Sequence, residues 1–316
     1  MNVTIAIATH NRAREVEKTL RSLVRLEAGQ TEYEVLLVDN NGTDDTAAVA
    51  AGLAPQFEGR LRYVREARPG LSHARNRAID EARHEVIAYL DDDVDVAPSW
   101  LNALRAAYAS GDVAGVGGRA YLVYPARRPR WLSDTREALL TRVELGPDRR
   151  PSGAGELYGV NLSFRKAWLI RSGGFRTDLG RVGTTLTGGE DCDMLERVAS
   201  LGGLVLYEPG AVVGHRVPRG RLTRTWFWKR CYWGHVAVPR QWPDHRVCGY
   251  ELVRSAWHVG LMTYRAVRAG IGHGPHSPEC FDQVLDVASR LGTFTGLARE
   301  FRHRVRGSFA TNPTGA

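Results

Sequence analysis

The chain has 316 residues, 43% of them apolar and 25% charged, with a formal net charge of +8. That is enough for one large α/β domain or two small ones of ordinary globular composition, and no apolar run approaches the ~18 residues of a membrane span. A strand starts almost at the N-terminus, so no signal peptide is expected. Cys192, Cys231, Cys248 and Cys280 form no C-x-x-C pair and are expected to be reduced thiols of a cytosolic protein rather than a zinc or disulfide set.

Charge is uneven. From Arg216 to the end there are 16 Lys+Arg and 6 Asp+Glu, whereas the first 215 residues carry 27 and 29. Such a basic tail suits nucleic acid, an anionic membrane or an acidic substrate. The chain also holds 40 Arg against 3 Lys, which looks like the codon bias of a GC-rich bacterial genome and weakens any claim that each Arg was placed for binding.

In chain order, residues 3–8 read as a first strand, and Thr9, His10, Asn11 and Arg12 form the turn after it. Val16, Leu20, Leu23 and Val24 have helical spacing. Residues 34–38 form a second strand ending in Asp39, Asn40, Asn41 and Gly42, where Asn-Gly marks a turn. Residues 61–64 form a third strand, broken by Pro69 and Gly70, and a helix runs from Ser72 to about Arg83.

Residues 86–90 are a mostly apolar run, followed at once by Asp91, Asp92 and Asp93. A strand covered on both faces tolerates such a run. Ligands of open α/β sheets bind outside the carboxyl ends of the strands, and oxygen-rich sites there suit Mg²⁺ or Mn²⁺ held between carboxylates and substrate phosphates. The plain alternative is a solvated acidic turn ahead of the next helix.

A helix is expected from Pro98 to about Ala109, then strands over 113–116 and 119–124 separated by Gly117 and Gly118, and a long loop over 125–155. Residues 158–165 resume the pattern, followed by a short helix, Gly173-Gly174-Phe175, and the acids Glu190, Asp191 and Asp193 ahead of a helix to about Leu201. Short strands over 204–207 and 211–213 lead to His215, and residues 222–238, 250–269 and 278–305 read as basic helices. The β-α-β-α alternation implies a mainly parallel sheet with helices on both faces. A G-x-G-x-x-G turn is missing after the first strand and no G-x-x-x-x-G-K-[ST] loop exists, which excludes the common dinucleotide and P-loop folds.

Taken together, Asp39, the Arg75-Asn76 pair, Asp91 to Asp93, Gly159-x-Asn161, Gly-Gly-Phe, Glu190-Asp191 and the late His215 resemble the family 2 glycosyltransferases, over about residues 3–238. The resemblance implies a GT-A fold: an α/β, Rossmann-like, mainly parallel sheet flanked by helices, with a C-terminal helical extension. It divides the chain into a nucleotide-sugar-binding half (1–110), an acceptor-binding and catalytic half (111–222), and a basic extension (223–316).

By the same resemblance, Thr9, Asn11 and Arg12 surround the nucleoside, Asp39 accepts from the uracil N3–H, and Arg75 reaches the base or phosphates. Ala8 departs from the Pro more usual at its position. Asp93 is the direct metal ligand, Asp91 lies nearer the ribose or the metal's water shell, and Asp92 shares the charge. His215 is implied as a further ligand of the divalent cation, Mn²⁺ or Mg²⁺. Asp191 is the general base, with Glu190 orienting it or binding the acceptor. Gly159 and Asn161 lie under the donor sugar, and Trp226, with Trp228 and Trp233, could stack on sugar rings or belong to a core.

The expected activity is inverting transfer to an acceptor hydroxyl from a nucleotide-sugar, UDP-sugar first and dTDP- or GDP-sugar next. Residues 224–230 lack the Q-x-x-R-W of processive synthases, so a single transfer is expected. Two rivals stand beside it. A sugar-1-phosphate nucleotidyltransferase would need a Gly-rich loop after the first strand, and a nucleic-acid-binding module would need an aromatic or helix-turn-helix motif beside the basic tail. Neither signal is present, so no nucleic-acid partner is expected. In the tail, Leu252, Trp257, Leu261 and Tyr264, with Arg254, Arg265 and Arg268, suit either a packed helix or homodimer contact, which is the plainer reading, or a helix resting on anionic lipid. The expected location is accordingly cytoplasmic, with peripheral contact at the inner membrane face as the further option.

Overall fold

The computed structural model describes residues 1–109, 111–183, 186–241 and 247–310. They fall into two compact units, one drawn from residues 1–126, 140–183 and 190–218, the other from 127–139, 186–189 and 219–310.

The first unit is α/β. It contains β1 (Val3–Thr9), α1 (Ala13–Leu23), β2 (Tyr33–Asn40), α2 (Thr46–Leu53), β3 (Leu61–Glu66), α3 (Leu71–Glu81), β4 (Val86–Asp91) and β5 (Val94–Val96). These are followed by α4 (Trp100–Tyr108), β6 (Val113–Val123), β7 (Arg150–Pro151), β8 (Asn161–Arg165), α5 (Lys166–Arg171), α6 (Glu190–Ser200) and β9 (Leu204–Arg216). The sheet order is β3-β2-β1-β4-β8-β6-β9-β5, with β7 paired to β9.

Strands β1 to β4 are parallel, and β1, β2 and β4 are buried almost throughout, which is why those three read as apolar runs rather than alternations. Helix α1 contributes Val16, Leu20 and Leu23 to the core, and α4 contributes Trp100, Leu101 and Leu104. The parallel register lines up the strand ends, Thr9 beside Asp39 and Ala8 beside Asp91. One edge of the sheet therefore collects the turn after β1, the acid after β2 and the acids after β4.

Beyond these four strands, parallel pairing recurs between β6 and β9, and the rest of the sheet is antiparallel. β8 runs antiparallel to β4 and β6, while β5 and β7 run antiparallel to β9. The two strands expected around Gly117 and Gly118 are one strand, β6. A Cβ on Gly117 would run into Leu157, and one on Gly118 into the Asn161 amide and the Ala211 carbonyl. The glycines admit close neighbours and mark a register shift against β9 rather than a break. β9 is likewise continuous where two short strands were expected, and His215 lies within it, opposite Val94 on β5. The expected long loop contains a 3-10 turn, Asp134–Leu140, and β7.

Asn161 ties this mixed region together. Its amide nitrogen donates to the carbonyls of Arg119 (3.1 Å) and Ala211 (2.8 Å), and its oxygen accepts from the Trp100 indole at 3.0 Å. The sequence reading put Asn161 under the donor sugar. The structure instead commits its side chain to the framework, because three buried polar groups need it.

The second unit is helical, with α7 (Arg224–Val236), α8 (Gly249–His273) and α9 (Pro278–Ala310). Both α7 and α8 pack against α9. On α9, Gly292 and Gly296 lie directly against the Tyr232 and Val236 carbonyls, so each admits no side chain. Phe227, Trp131 and Phe281 form an edge-to-face cluster at 5.0–5.3 Å between ring centres. Trp226 lies in this unit, half-buried on α7 with its ring edge-on to Phe227. All four cysteines are free thiols.

Asn161→Ala would strand the Trp100 N–H and two buried carbonyls, and each unsatisfied group costs about 1–3 kcal/mol. Urea unfolding should show a loss of about 3 kcal/mol. A change under about 0.5 kcal/mol, typical of a surface site, would remove the framework role.

Candidate active site

Three consecutive acids follow β4, and the structure gives each a different environment. Asp92 and Asp93 are buried, whereas the Asp91 side chain is about one-third exposed. Asp92 accepts from the Thr9 hydroxyl at 2.7 Å and from the Arg12 guanidinium at 2.5 Å. The same guanidinium donates to Asp93 at 2.8 Å. Burial works against the charge on Arg12, but Asp92 and Asp93 outweigh it and hold the guanidinium above its usual range. Burial lifts the Asp92 carboxyl above the usual range, Arg12 opposes this, and Asp93 adds to it. From α1, the Thr19 hydroxyl donates to the Asp92 carbonyl at 2.8 Å and accepts from the Val94 N–H at 3.1 Å, bracing the acidic turn from beneath.

Thr9, expected around the nucleoside, and Asp92, expected to share the acidic charge, are buried against each other and lock the turn after β1 to the turn after β4. Asn11 sits at φ 53°, a left-handed conformation Asn tolerates, and its side-chain oxygen accepts from the Thr43 N–H at 2.7 Å. It joins the turns after β1 and β2.

Asp39 is buried at the end of β2. One of its oxygens accepts from the Gly42 N–H at 2.9 Å, and the other from the Tyr63 hydroxyl at 2.6 Å. Burial and then the Asp39 carboxylate push the Tyr63 hydroxyl up to about 12, so the tyrosine stays a donor and orients the acid. Tyr63 was missed because its signal in the sequence is only an aromatic in an edge strand.

His215 is fully buried on β9. Its Nδ1 lies 2.8 Å from the Leu140 carbonyl, which can only accept, so Nδ1 carries the hydrogen. Nε2 then faces Asp93 Oδ1 at 3.3 Å. Two lone pairs at that distance repel unless a proton or a cation lies between them. Two ligands of one octahedral cation, each bonded at about 2.1 Å, stand roughly 3 Å apart. The carbonyl behind Nδ1 is also the usual support of a metal-binding imidazole. Asp93 and His215 therefore fit a divalent cation as a two-residue site to be completed by phosphate oxygens and water. Asp91 does not join them. Its carboxylate faces Arg75 at 3.9 Å, and among the described residues no three His, Cys, Asp or Glu side chains converge as a complete site.

Arg75 is buried on α3 and links the two ends of the site. It donates to Glu190 at 2.8 Å and approaches Asp91. Burial works against its charge, but Glu190, Asp191 and Asp91 raise its pKa further. Its guanidinium lies 5.4 Å from the centre of the Phe175 ring. The next residue, Asn76, donates to the Phe175 carbonyl (2.8 Å) and accepts from the Phe175 N–H (2.7 Å). Gly174 turns at φ 73° against that same amide. Arg75-Asn76 and Gly-Gly-Phe are thus one device that holds a guanidinium in place. The role of Phe175 was missed, although the motif itself was the signal.

Glu190 and Asp191 are the first two residues of α6, not a loop before it, and a helix N-terminus stabilises their charge. Burial and the Asp191 charge raise the pKa of Glu190, opposed by Arg75. Asp191 is more open. Its oxygens accept from the Gly159 N–H and the Cys192 N–H, both at 2.9 Å. Gly159 was expected beneath a sugar. Its N–H orients Asp191, and a Cβ there would strike the Arg75 guanidinium. Cys192 beside it is held neutral, its thiol pushed up to about 12 by burial and by Asp191.

The arrangement offers a cation-ready pair, a carboxylate at the end of β2 and a half-open carboxylate at a helix start, joined through one buried guanidinium. The profile of "Glycosyl transferase family 2" matches residues 4–173, more than half of the chain. The succinoglycan biosynthesis protein ExoM of Rhizobium meliloti is 28% identical over 264 residues, which is 83% of this chain and 80% of that protein. Among solved structures, the mannosyltransferase PcManGT of Pyrobaculum calidifontis, in complex with GDP-Man and Mn²⁺, superposes with a TM-score of 0.60 at 20% identity, over 92% of this chain and 86% of that one. S. aureus TarS 1-349 with UDP-GlcNAc superposes at 0.54 and 13% identity, over 96% and 92%. These matches set aside the nucleotidyltransferase and nucleic-acid readings. The chain belongs to glycosyl transferase family 2 and is a glycosyltransferase with the GT-A fold.

Proposed function

We propose that this enzyme is an inverting, metal-assisted transferase that moves a sugar from UDP-sugar to an acceptor hydroxyl in a single transfer. The observation carrying this reading is the span of Arg75, 2.8 Å from Glu190 and 3.9 Å from Asp91. One guanidinium thus stands between the acids at the strand end and the acids at the helix start. Donor diphosphate at one and acceptor hydroxyl at the other would meet across the glycosyl bond.

Asp191 is the general base. It is partly exposed and oriented by two backbone N–H groups, so its remaining lone pairs can accept the proton of an attacking hydroxyl. A sugar hydroxyl is a weak nucleophile, and removing its proton during attack lowers the barrier. Glu190, bound to Arg75, fixes the guanidinium and presents the acceptor side. Attack opposite the leaving diphosphate inverts the anomeric centre. Arg75 and Arg12 supply positive charge near the leaving group as negative charge builds on it. Asp93 and His215 would hold the divalent cation, which adds Lewis-acid stabilisation of the diphosphate. Similarity to a fold crystallised with GDP-Man and Mn²⁺ supports the metal and the donor class.

The uridine reading rests on Asp39. A buried carboxylate held by Tyr63 and Gly42 keeps lone pairs for a ring N–H. GDP- and dTDP-sugars are the next donors to test.

Asp191→Asn tests the proposal as a whole. Asn keeps the shape and one of the two backbone contacts but takes no proton, so kcat should fall about 10²–10⁴-fold while the Kd for UDP stays put. Turnover above about a tenth of the parent would place the base elsewhere, with Glu190→Gln as the next variant.

Metal dependence is separable. EDTA should abolish transfer and Mn²⁺ or Mg²⁺ should restore it. His215→Ala should raise the metal concentration needed by at least about 10–100-fold, the loss that follows removal of even an outer-shell partner of a metal ligand. Full turnover in metal-free buffer would remove the cation from the reaction.

Asp39→Ala should weaken UDP binding in calorimetry by about tenfold or more while pyrophosphate binding is unchanged, since a buried charged hydrogen bond contributes roughly 1.5–3 kcal/mol. Tyr63→Phe should show a smaller loss of the same kind. Equal loss for UDP and pyrophosphate would make Asp39 a turn residue.

A further inference from the structure

Helix α8 carries its large apolar residues on the exposed side. Only Ser255 of this 25-residue helix is buried. Tyr250, Val253, Trp257, Tyr264, Val267 and Ile271 are between 58% and 82% exposed. Their spacing alternates in steps of three, four and seven residues, which puts all six on one side of the helix over about six turns. Ala256, Gly260 and Thr263 are exposed between them. The sequence reading grouped Leu252 and Leu261 with Trp257 and Tyr264, but those leucines are half-buried, so the exposed stripe is a different set. Scattered exposed apolar residues need no explanation; a continuous aromatic stripe on one helix does.

The charges beside the stripe have one sign. Arg265 and Arg268 are exposed, and the Arg268 guanidinium lies 6.0 Å from the centre of the Tyr264 ring. The single acid of the helix, Glu251, is paired with Arg254 at 2.6 Å. A second copy seated here by a two-fold axis would pair this surface with itself. It would set arginines near arginines, with no exposed acid on either helix to meet them. An anionic lipid surface answers both features. Tyr and Trp favour the headgroup level, aliphatic side chains favour the acyl boundary, and arginines meet phosphates. The excess of 16 Lys+Arg over 6 Asp+Glu from Arg216 onward acts in the same direction. Among the described residues no helix is long and apolar enough to cross a membrane, so the contact would lie in the plane of the surface.

We propose that α8 is a surface-seated membrane helix that docks this enzyme on anionic lipid. Tyr250, Trp257 and Tyr264 sit at the headgroup level, Val253, Val267 and Ile271 reach the acyl boundary, and Arg265 and Arg268 engage lipid phosphates. The docking is independent of the donor chemistry, because none of these residues belongs to the site around Arg75.

The full chain is tested by flotation with phosphatidylcholine vesicles, with and without phosphatidylglycerol, at low and high salt. Vesicles containing phosphatidylglycerol should carry the protein at low salt and release it at high salt, and pure phosphatidylcholine should carry far less. Trp257→Ser with Ile271→Ser should lower the partition coefficient about tenfold or more, since both side chains lose their apolar contact. Arg265→Gln with Arg268→Gln should lower binding to the anionic vesicles specifically. UDP binding and far-UV circular dichroism of these variants should match the parent, which separates lost docking from lost folding or lost chemistry. The proposal is overturned by absence of flotation at low salt, by equal flotation on neutral vesicles, or by equal flotation of the Trp257→Ser, Ile271→Ser variant. It is overturned too if sedimentation shows a dimer that this variant dissociates, because the stripe would then be covered by a second copy.

Discussion

Burying two adjacent carboxylates is the constraint on which the site depends. Asp92 and Asp93 are both almost fully covered, and an isolated buried carboxylate sheds its charge rather than remain unpaired. Arg12 resolves this with one planar fork that reaches both acids. A lysine ammonium is a point charge and could not serve two carboxylates with the same geometry. The fork also fixes the turn after β1 onto the turn after β4, so the electrostatic remedy and the loop conformation are a single interaction. Thr9 and Thr19 finish the job by satisfying the remaining Asp92 oxygens.

A second guanidinium does the same work a few ångströms along the sheet edge. Arg75 is as buried as the Glu190 it binds, and its neighbours leave room for its bulk. Gly159 lacks a side chain where the guanidinium passes, and Phe175 lies within 5.4 Å of it. Asn76 clips the Phe175 backbone in both directions. Breaking one partner of such a buried pair leaves an uncompensated charge, which is why the cluster acts as a unit rather than as separate contacts. A rigid unit is also what acid-base chemistry requires, since positioned groups do far more than free ones.

The parallel half of the sheet was readable from residue type alone. Apolar runs with turn residues between them placed β1 to β4, α3 and α4 within a few residues of their observed bounds. Reading failed where close packing, not propensity, sets the structure. Gly117 and Gly118 look like a breaker in a sequence, but in β6 they make room for Leu157 and Asn161. Pro209 and Gly210 look like a turn, yet β9 runs through them with a register shift. The antiparallel pairings of β8, β5 and β7 depend on contacts distant in the chain, which local pattern does not encode. At the site, residue identities were legible from their motifs, but the division of labour among them was not. Thr9, Asp92, Gly159 and Asn161 were assigned to ligands, whereas the structure spends them on other protein groups. The sequence shows which polar residues gather; only the structure shows which of their hydrogen bonds are already taken.

That accounting narrows what remains for a substrate. At the sheet edge, Asp39 still has acceptor capacity beyond Tyr63 and Gly42, and Asp191 beyond two backbone N–H groups. Asp93 and His215 face each other as a pair that favours something positive between them. Each of these three points lies at the end of a different chain segment, after β2, at the start of α6 and across β9. Each is held by a neighbour that is itself fixed: Tyr63 in β3, Gly159 ahead of β8, and the Leu140 carbonyl behind the imidazole. The guanidiniums of Arg12 and Arg75 supply the positive charge that keeps so many carboxylates together around these points.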